Sequence, residues 1–426
     1  MSEIPPVRVV VTHDFCCSYL PSPTSYGSLP GGEGLARTLN RLREEGPTVW
    51  ADAGDCAAPG ALATLSGGTA GFEAAADLGI DVGAVGNHEF DWGVEHLRSQ
   101  AHKTGYPLLC ANCPETGLPA TAMIPTEAGD VDFVGLPPSG SLRLCPAARP
   151  RPRRGGRPAR RELRASGAQR VVALIHDGVG WSIGSRGYVA DPERFAALCR
   201  PWAWSVDAIV GTHTRGRWIG SVERTPVVQP WPLGAELGVV EFARGGKARA
   251  YGITPETGGR WTGAGSGLLD EASSTVLGTL EDPLHARSDG PSPLVDFFAK
   301  ALREAAGTDA AAVDMVGVQP PMDGVLAYLP AGPVTEADLV RVYPWPDATV
   351  AGELGREEIR AVARSGWPEA WAAWGIDAVE LADRGSSVLA VPEGDAADHV
   401  ERVLGRRVHW QRTGIGLREA VRKALR

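Results

Sequence analysis

Gly86-Asn87-His88-Glu89-Phe90-Asp91-Trp92-Gly93 is the stretch on which the fold of this chain turns. It follows residues 82–85, a short apolar run that reads as a buried strand. Glycine at a strand end lets the backbone turn sharply. The Asn and His behind it offer an amide oxygen and an imidazole. Four more turns of this kind lie outward along the chain. They are Thr12-His13-Asp14-Phe15-Cys16 after the run 7–11, and Asp52-Ala53-Gly54-Asp55 after 48–50. Leu174-Ile175-His176-Asp177-Gly178 closes the run 171–175, and Gly211-Thr212-His213-Thr214-Arg215 follows 208–210. Asp, Asn and His are hard-oxygen and imidazole donors, the set that divalent Mn, Fe, Zn or Co accepts. Strand ends are where α/β proteins gather their sites. One such turn is commonplace; five in a fixed order point to one shared metal site.

Between these turns the pattern alternates. Residues 35–42 and 72–78 carry apolar side chains at helical spacing, and 108–111 reads as a fourth strand. This βαβαβ order predicts an α/β layered sheet. Runs at 227–228 and 238–242 add β-structure. Arg149 to Arg164 holds eight arginines among Pro and Gly, and reads as a solvated loop running into an exposed helix, with an anion-binding arm as the alternative. Residues 256–290, rich in Gly, Ser, Thr and Asp, read as a connection with one helical stretch near Leu277. The last unit opens with an amphipathic helix over 294–305 and closes with another over 417–425. Trp367, Trp371 and Trp374 sit at helical spacing and read as packing residues. Cys110-Ala111-Asn112-Cys113 has no second pair to complete a zinc site and reads as a buried strand end.

Composition narrows the function. A chain of 426 residues is long enough for two or three domains. Its 43% hydrophobic and 22% charged residues are those of a folded protein. With 51 acidic against 42 basic residues the net charge is −9, which argues against a nucleic-acid partner. The sequence has no apolar run of spanning length and no signal-peptide pattern, so no membrane partner and a cytoplasmic location are expected. The seven cysteines are then expected as free thiols.

The order of the five turns resembles that of the calcineurin-like metallophosphoesterases, and the 86–93 stretch is similar to the 5′-nucleotidase branch of that family. Ser292-Pro293-Leu294, Leu329-Pro330-Ala331-Gly332-Pro333-Val334-Thr335 and Val342-Tyr343-Pro344-Trp345 resemble the family's C-terminal substrate-binding domain. The resemblance implies an N-terminal four-layer α/β/β/α domain over 1–255, a connection over 256–290, and a smaller α/β domain over 291–426, with the active site in the cleft between the domains. It implies a divalent ion (Mn, Zn, Co, Fe or Mg), one or two per chain, that activates water and clamps a phosphoryl group. Asp55 would bridge two ions, with Asn87, His176 and His213 completing one site. His88 would protonate the leaving oxygen, and Glu89 and Asp91 would support the ligands. Trp345 stands at the family's base-stacking position. The implied activity is hydrolysis of a phosphate monoester, a nucleoside monophosphate or a modified nucleotide.

The second ion's ligands depart from the family. The family's Asp-x-His is Asp14-Phe15-Cys16 here, and the last position of its Gly-His-x-His is Arg215. Three readings stay open. Cys16 ligates a softer ion beside Asp14; or Arg215 replaces the ion, pairing with Asp14 and clamping a phosphate oxygen; or the site is lost and the chain binds a nucleotide without hydrolysing it. The family's substrate-binding Arg is also missing, with Leu326 in its place.

Overall fold

The structure is a computed structural model that describes residues 6–24, 27–138, 167–184, 187–243, 248–287, 292–316, 328–345, 347–365, 372–379 and 386–426. The arginine-rich stretch 149–164, Leu326, Trp367 and Trp371 lie outside the described residues. The chain divides into two compact units, one of Met1–Ser22 and Ser28–Leu268, the other including Leu269–Arg426.

Two six-stranded sheets build the first unit. Val7–Thr12 lies inside the first sheet, parallel to Thr48–Asp52 and antiparallel to Leu237–Phe242. Val82–Ala84 and Leu108–Leu109 continue it in parallel, and Ala248–Ile253 closes the other edge. In the second sheet Ala208–Gly211 runs parallel to Val171–Ile175, which runs parallel to Val131–Leu136. Alternation sorts the strand residues between layers. Val7, Val9 and Val11 share one core with Phe133, Val172, Leu174 and Val210, so the two sheets face each other. Val134, Ala173, Ile175 and Ile209 point the other way, onto Phe195 and Cys199 of the helix Glu193–Cys199. The helix Gly31–Glu45 packs on the strand Thr48–Asp52 and buries Leu35, Leu39 and Leu42. These are the expected α/β/β/α layers. Each fully buried Val, Leu or Phe contributes about 1.5–3 kcal/mol. All five ligand-bearing turns leave the C-terminal ends of parallel strands, Val7–Thr12, Thr48–Asp52, Val82–Ala84, Val171–Ile175 and Ala208–Gly211.

The second unit is a five-stranded sheet with helices on both faces. Leu294, Phe298 and Leu302 of the helix Pro293–Ala306 share a core with Leu417 and Val421 of the helix Leu417–Ala424. Ile359, Val362 and Val400 form the core of the opposite face.

The stretch 256–290 packs on the first unit where it begins, and two helical expectations need correction here. Glu256 pairs with Arg37 and Arg41, and Trp261 lies 4.8 Å from Tyr19, all in the first unit. Its helix is Ser266–Ser274, and Leu277 lies in the strand Val276–Leu280, which pairs with Gly332–Thr335. The pairing partner is more than fifty residues away, so helical spacing near Leu277 could not reveal it. Trp374 likewise lies in a strand, Ala372–Ala378, where its indole donates to the Val362 carbonyl.

Candidate metal centre

Three of the five turns, those at 12–16, 52–55 and 211–215, carry an unusual backbone. Asp14, Cys16, Asp55, His213 and Arg215 all have positive φ, between 42° and 68°. Each such non-glycine residue costs about 1–3 kcal/mol, and strain of this kind concentrates at functional sites. Main-chain bonds hold it in place: Asp14 N–H donates to the Gly54 carbonyl and Cys16 N–H to that of Asp55, both at 2.9 Å. Gly86 leaves room for the ligands, since a Cβ there would lie 2.1 Å from Asp55 Oδ1.

Asp55, His176 and His213 form the metal-spaced group, with one donor atom from each within 4.8 Å of the others. His176 Nδ1 lies 2.9 Å from the Ala53 carbonyl, which fixes the ring and turns Nε2 inward. Nε2 then faces Asp55 Oδ2 at 3.1 Å and Asn87 Oδ1 at 3.2 Å. Asn87 thus joins the group. A carboxylate, an amide oxygen and two imidazoles converging on one point suit a divalent ion of the Mn, Fe, Co or Zn kind. Burial disfavours the His176 imidazolium, but the charges of Asp55 and Asp14 outweigh it and lift the ring to about 10. Burial and the His176 charge push His213 below the ordinary imidazole value.

Asp14 and Cys16 are not brought into this group. Asp14 Oδ2 accepts from the Thr212 hydroxyl at 2.7 Å and the His213 N–H at 2.8 Å, and lies 2.8 Å from His13 Nδ1. Its Oδ1 has no hydrogen bond and faces Arg215 Nε at 3.5 Å. Burial pulls the Asp14 carboxyl up, but the His13 contact and the charges of His176 and Arg215 hold it well below its usual value. Arg215 Nη2 approaches Cys16 Sγ at 4.0 Å. Burial pushes the Cys16 thiol well above its ordinary value despite that guanidinium, so it is placed as a thiol beside a cation. Of the readings open for Asp14 and Cys16, this arrangement matches the one in which Arg215 pairs with Asp14. Their donor atoms turn to Arg215, a side-chain cation on the side where the second ion's ligands were expected.

The 86–91 turn carries the remaining expected residues. His88 N–H donates to Asp55 Oδ1 at 2.9 Å, and its ring Nδ1 lies 3.0 Å from Asp91 Oδ2. Glu89 is buried and binds four main-chain donors, the N–H groups of Asp55, Cys56, Ala57 and Gly86, at 2.7–3.2 Å. It therefore ties the Asp55 turn to the His88 turn. Burial and the Asp55 charge push its carboxyl up to about 7, against the pull of those donors. Trp345 lies in the second unit, partly buried against its core, and Arg418 donates to its carbonyl at 2.7 Å.

Three contributors were not singled out from the sequence. His13 had one signal, its place beside Asp14. Thr212 had the same signal beside His213, and Gln229, which reaches both imidazole loops, lies at the end of a strand with no motif around it.

Comparison with known proteins follows the same division. The family model of the 5′-nucleotidase C-terminal domain matches residues 276–376. A curated relative, endonuclease YhcR of Bacillus subtilis, is 25% identical over 331 residues, which cover 67% of this chain and 26% of that protein. The chain thus spans about a quarter of the length of the curated relative it matches. Among solved structures, a 5′-nucleotidase precursor from Thermus thermophilus superposes with a TM-score of 0.73 at 16% identity, covering 99% of this chain and 96% of that one. The sulfate thiohydrolase SoxB of Thermus thermophilus gives 0.73 at 16% identity, covering 100% and 95%. These two likenesses establish a shared fold.

Proposed function

We propose that the chain, whose residues 276–376 match the model of the 5′-nucleotidase C-terminal domain, is a metal-dependent hydrolase of phosphate monoesters, with a nucleoside monophosphate as substrate and one divalent ion per chain. The observation that carries this reading is the convergence of Asp55, Asn87, His176 and His213, with His88 hung on Asp55 beside them. A divalent ion held there supplies Lewis acidity toward phosphoryl oxygens and makes water a better nucleophile. The protein's own groups do the rest. Asp55 and His176 fix the ligand geometry, and Glu89 holds the Asp55 turn. Arg215, anchored by Asp14, presents a planar guanidinium to a phosphoryl oxygen. His88 holds a proton on its ring and delivers it to the leaving ester oxygen.

The test is phosphate release from AMP and a small nucleotide panel, with Mn²⁺ supplied to metal-stripped protein. Release that disappears in His88→Ala supports the reading. Nucleotide binding without release from any substrate supports instead a non-catalytic binding protein. That second reading draws on the turning of Asp14 and Cys16 away from the metal group.

A further inference from the structure

Gln229 is the last residue of the strand Thr225–Gln229 and is fully buried. Its amide faces two loops at once. Oε1 accepts the Val179 N–H at 3.0 Å, three residues past His176. Nε2 donates to Thr214 Oγ1 at 3.0 Å, and Thr214 stands between His213 and Arg215. A buried N–H must find an acceptor, so Val179 fixes which way the amide points and leaves its NH₂ for Thr214. The sequence clears space for this contact. A Cβ on Gly178 would lie 2.4 Å from Gln229 Oε1 and 2.5 Å from Thr214 Oγ1, and one on Gly211 would lie 2.9 Å from the same Oε1.

Thr214 is held a second time, through its carbonyl, which accepts the Trp181 indole N–H at 2.7 Å. A main-chain bond from Thr212 N–H to the Asp177 carbonyl, at 3.0 Å, also joins the two loops. The His213 N–H donates to Asp14 Oδ2 at 2.8 Å and the Thr214 N–H to the Thr212 carbonyl at 2.7 Å, which fixes the main chain leading into Thr214. His213 and Arg215 flank it with φ of 68° and 57°. Asp14 holds the left-handed residues on either side, and the Gln229 amide and the Trp181 indole hold the side chain and the carbonyl of Thr214 between them.

Resting on the metal-site reading above, we propose that Gln229 and Thr214 form a bridge that sets the spacing of His176 and His213 and aims Arg215. Both are positioning residues, since neither belongs to the ligand group. Gln229 acts through its amide, which accepts on one loop while donating to the other. Residues that orient metal ligands typically change affinity by about 10–100-fold when removed.

The experiment is Mn²⁺ titration of metal-stripped full-length protein by calorimetry, with unfolding of the metal-free protein measured alongside. Thr214→Val keeps the shape and removes the hydroxyl. Thr214→Ser keeps the hydroxyl. The expected result is a Kd raised about tenfold or more in Thr214→Val and returned to within about threefold in Thr214→Ser, with both metal-free variants folded at the titration temperature and Thr214→Val unfolding earlier because the buried Gln229 amide has lost an acceptor. Equal Mn²⁺ affinity in Thr214→Val and the unaltered chain overturns the inference, as does an equal loss in both variants. Failure of the unaltered chain to bind Mn²⁺ overturns the metal-site reading and takes the bridge with it, before any variant is compared.

Discussion

Arg215 Nε lies 3.5 Å from Asp14 Oδ1, and both side chains are buried. The remaining oxygen of Asp14 is occupied by the Thr212 hydroxyl and the His213 N–H, with His13 beside it. A carboxylate so engaged has one partner left to satisfy, and that partner is a guanidinium. Asp14 is thereby met by a cation that cannot be deprotonated in a protein.

Metal content follows from this pair. Reconstitution with Mn²⁺ is expected to give close to one ion per chain by elemental analysis, and a ratio near two counts against Arg215 as the replacement. Arg215→Ala should keep that one ion. Its kcat/KM for a phosphate ester should fall by about 100-fold or more, the usual effect of removing one preorganised group that stabilises developing charge.

The acid has a predictable pH limb. Burial disfavours the His88 imidazolium, but the charges of Asp55 and Asp91 more than offset it and raise the ring above the ordinary imidazole value. An acid must be protonated to act, so kcat/KM should fall as pH rises through that raised value. Asp91→Asn removes one of the two raising charges, and the limb should move to lower pH. A limb that stays in place in Asp91→Asn denies His88 this role. His88→Ala should cost about 10²–10⁴-fold in rate with Mn²⁺ affinity unchanged.

Metal binding should itself depend on pH. His176 is lifted to about 10 by Asp55 and Asp14 despite burial, and a metal ion competes with that proton for Nε2. Below this value, each unit of falling pH should weaken Mn²⁺ affinity about tenfold, the effect of displacing one proton per ion. Calorimetry at pH 7.5 in buffers of different ionisation enthalpy should read about one proton released per ion, and a value near zero speaks against His176 as the ligand.

Glu89 gathers four main-chain donors from two turns. Glu89→Ala leaves them without their acceptor. Each buried donor left unsatisfied costs about 1–3 kcal/mol, so the loss of stability should reach at least about 3 kcal/mol by urea unfolding. Mn²⁺ affinity should fall as well, because the Asp55 turn loses its tether. A variant as stable as the parent indicates that water or another group accepts those bonds.

By itself the sequence determined the layered first unit and put forward Asp55, Asn87, His176 and His213 as candidate ligands. The apolar run of Val9, Val10 and Val11, buried without a break, is a local property, and so are the glycines in the ligand-bearing turns; both are written into a few adjacent residues. The tertiary structure alone decided which donor faces which. Asp14 and Arg215 are about two hundred residues apart in the chain, and only the packing of two sheets sets their separation. The same is true of Gln229, whose role depends on two loops that meet at a strand end, and of Leu277, whose strand exists because Gly332–Thr335 lies beside it. Side-chain spacing records which surface of an element is apolar. Long-range pairing depends on which distant surface covers it, and that is settled only when the whole unit folds.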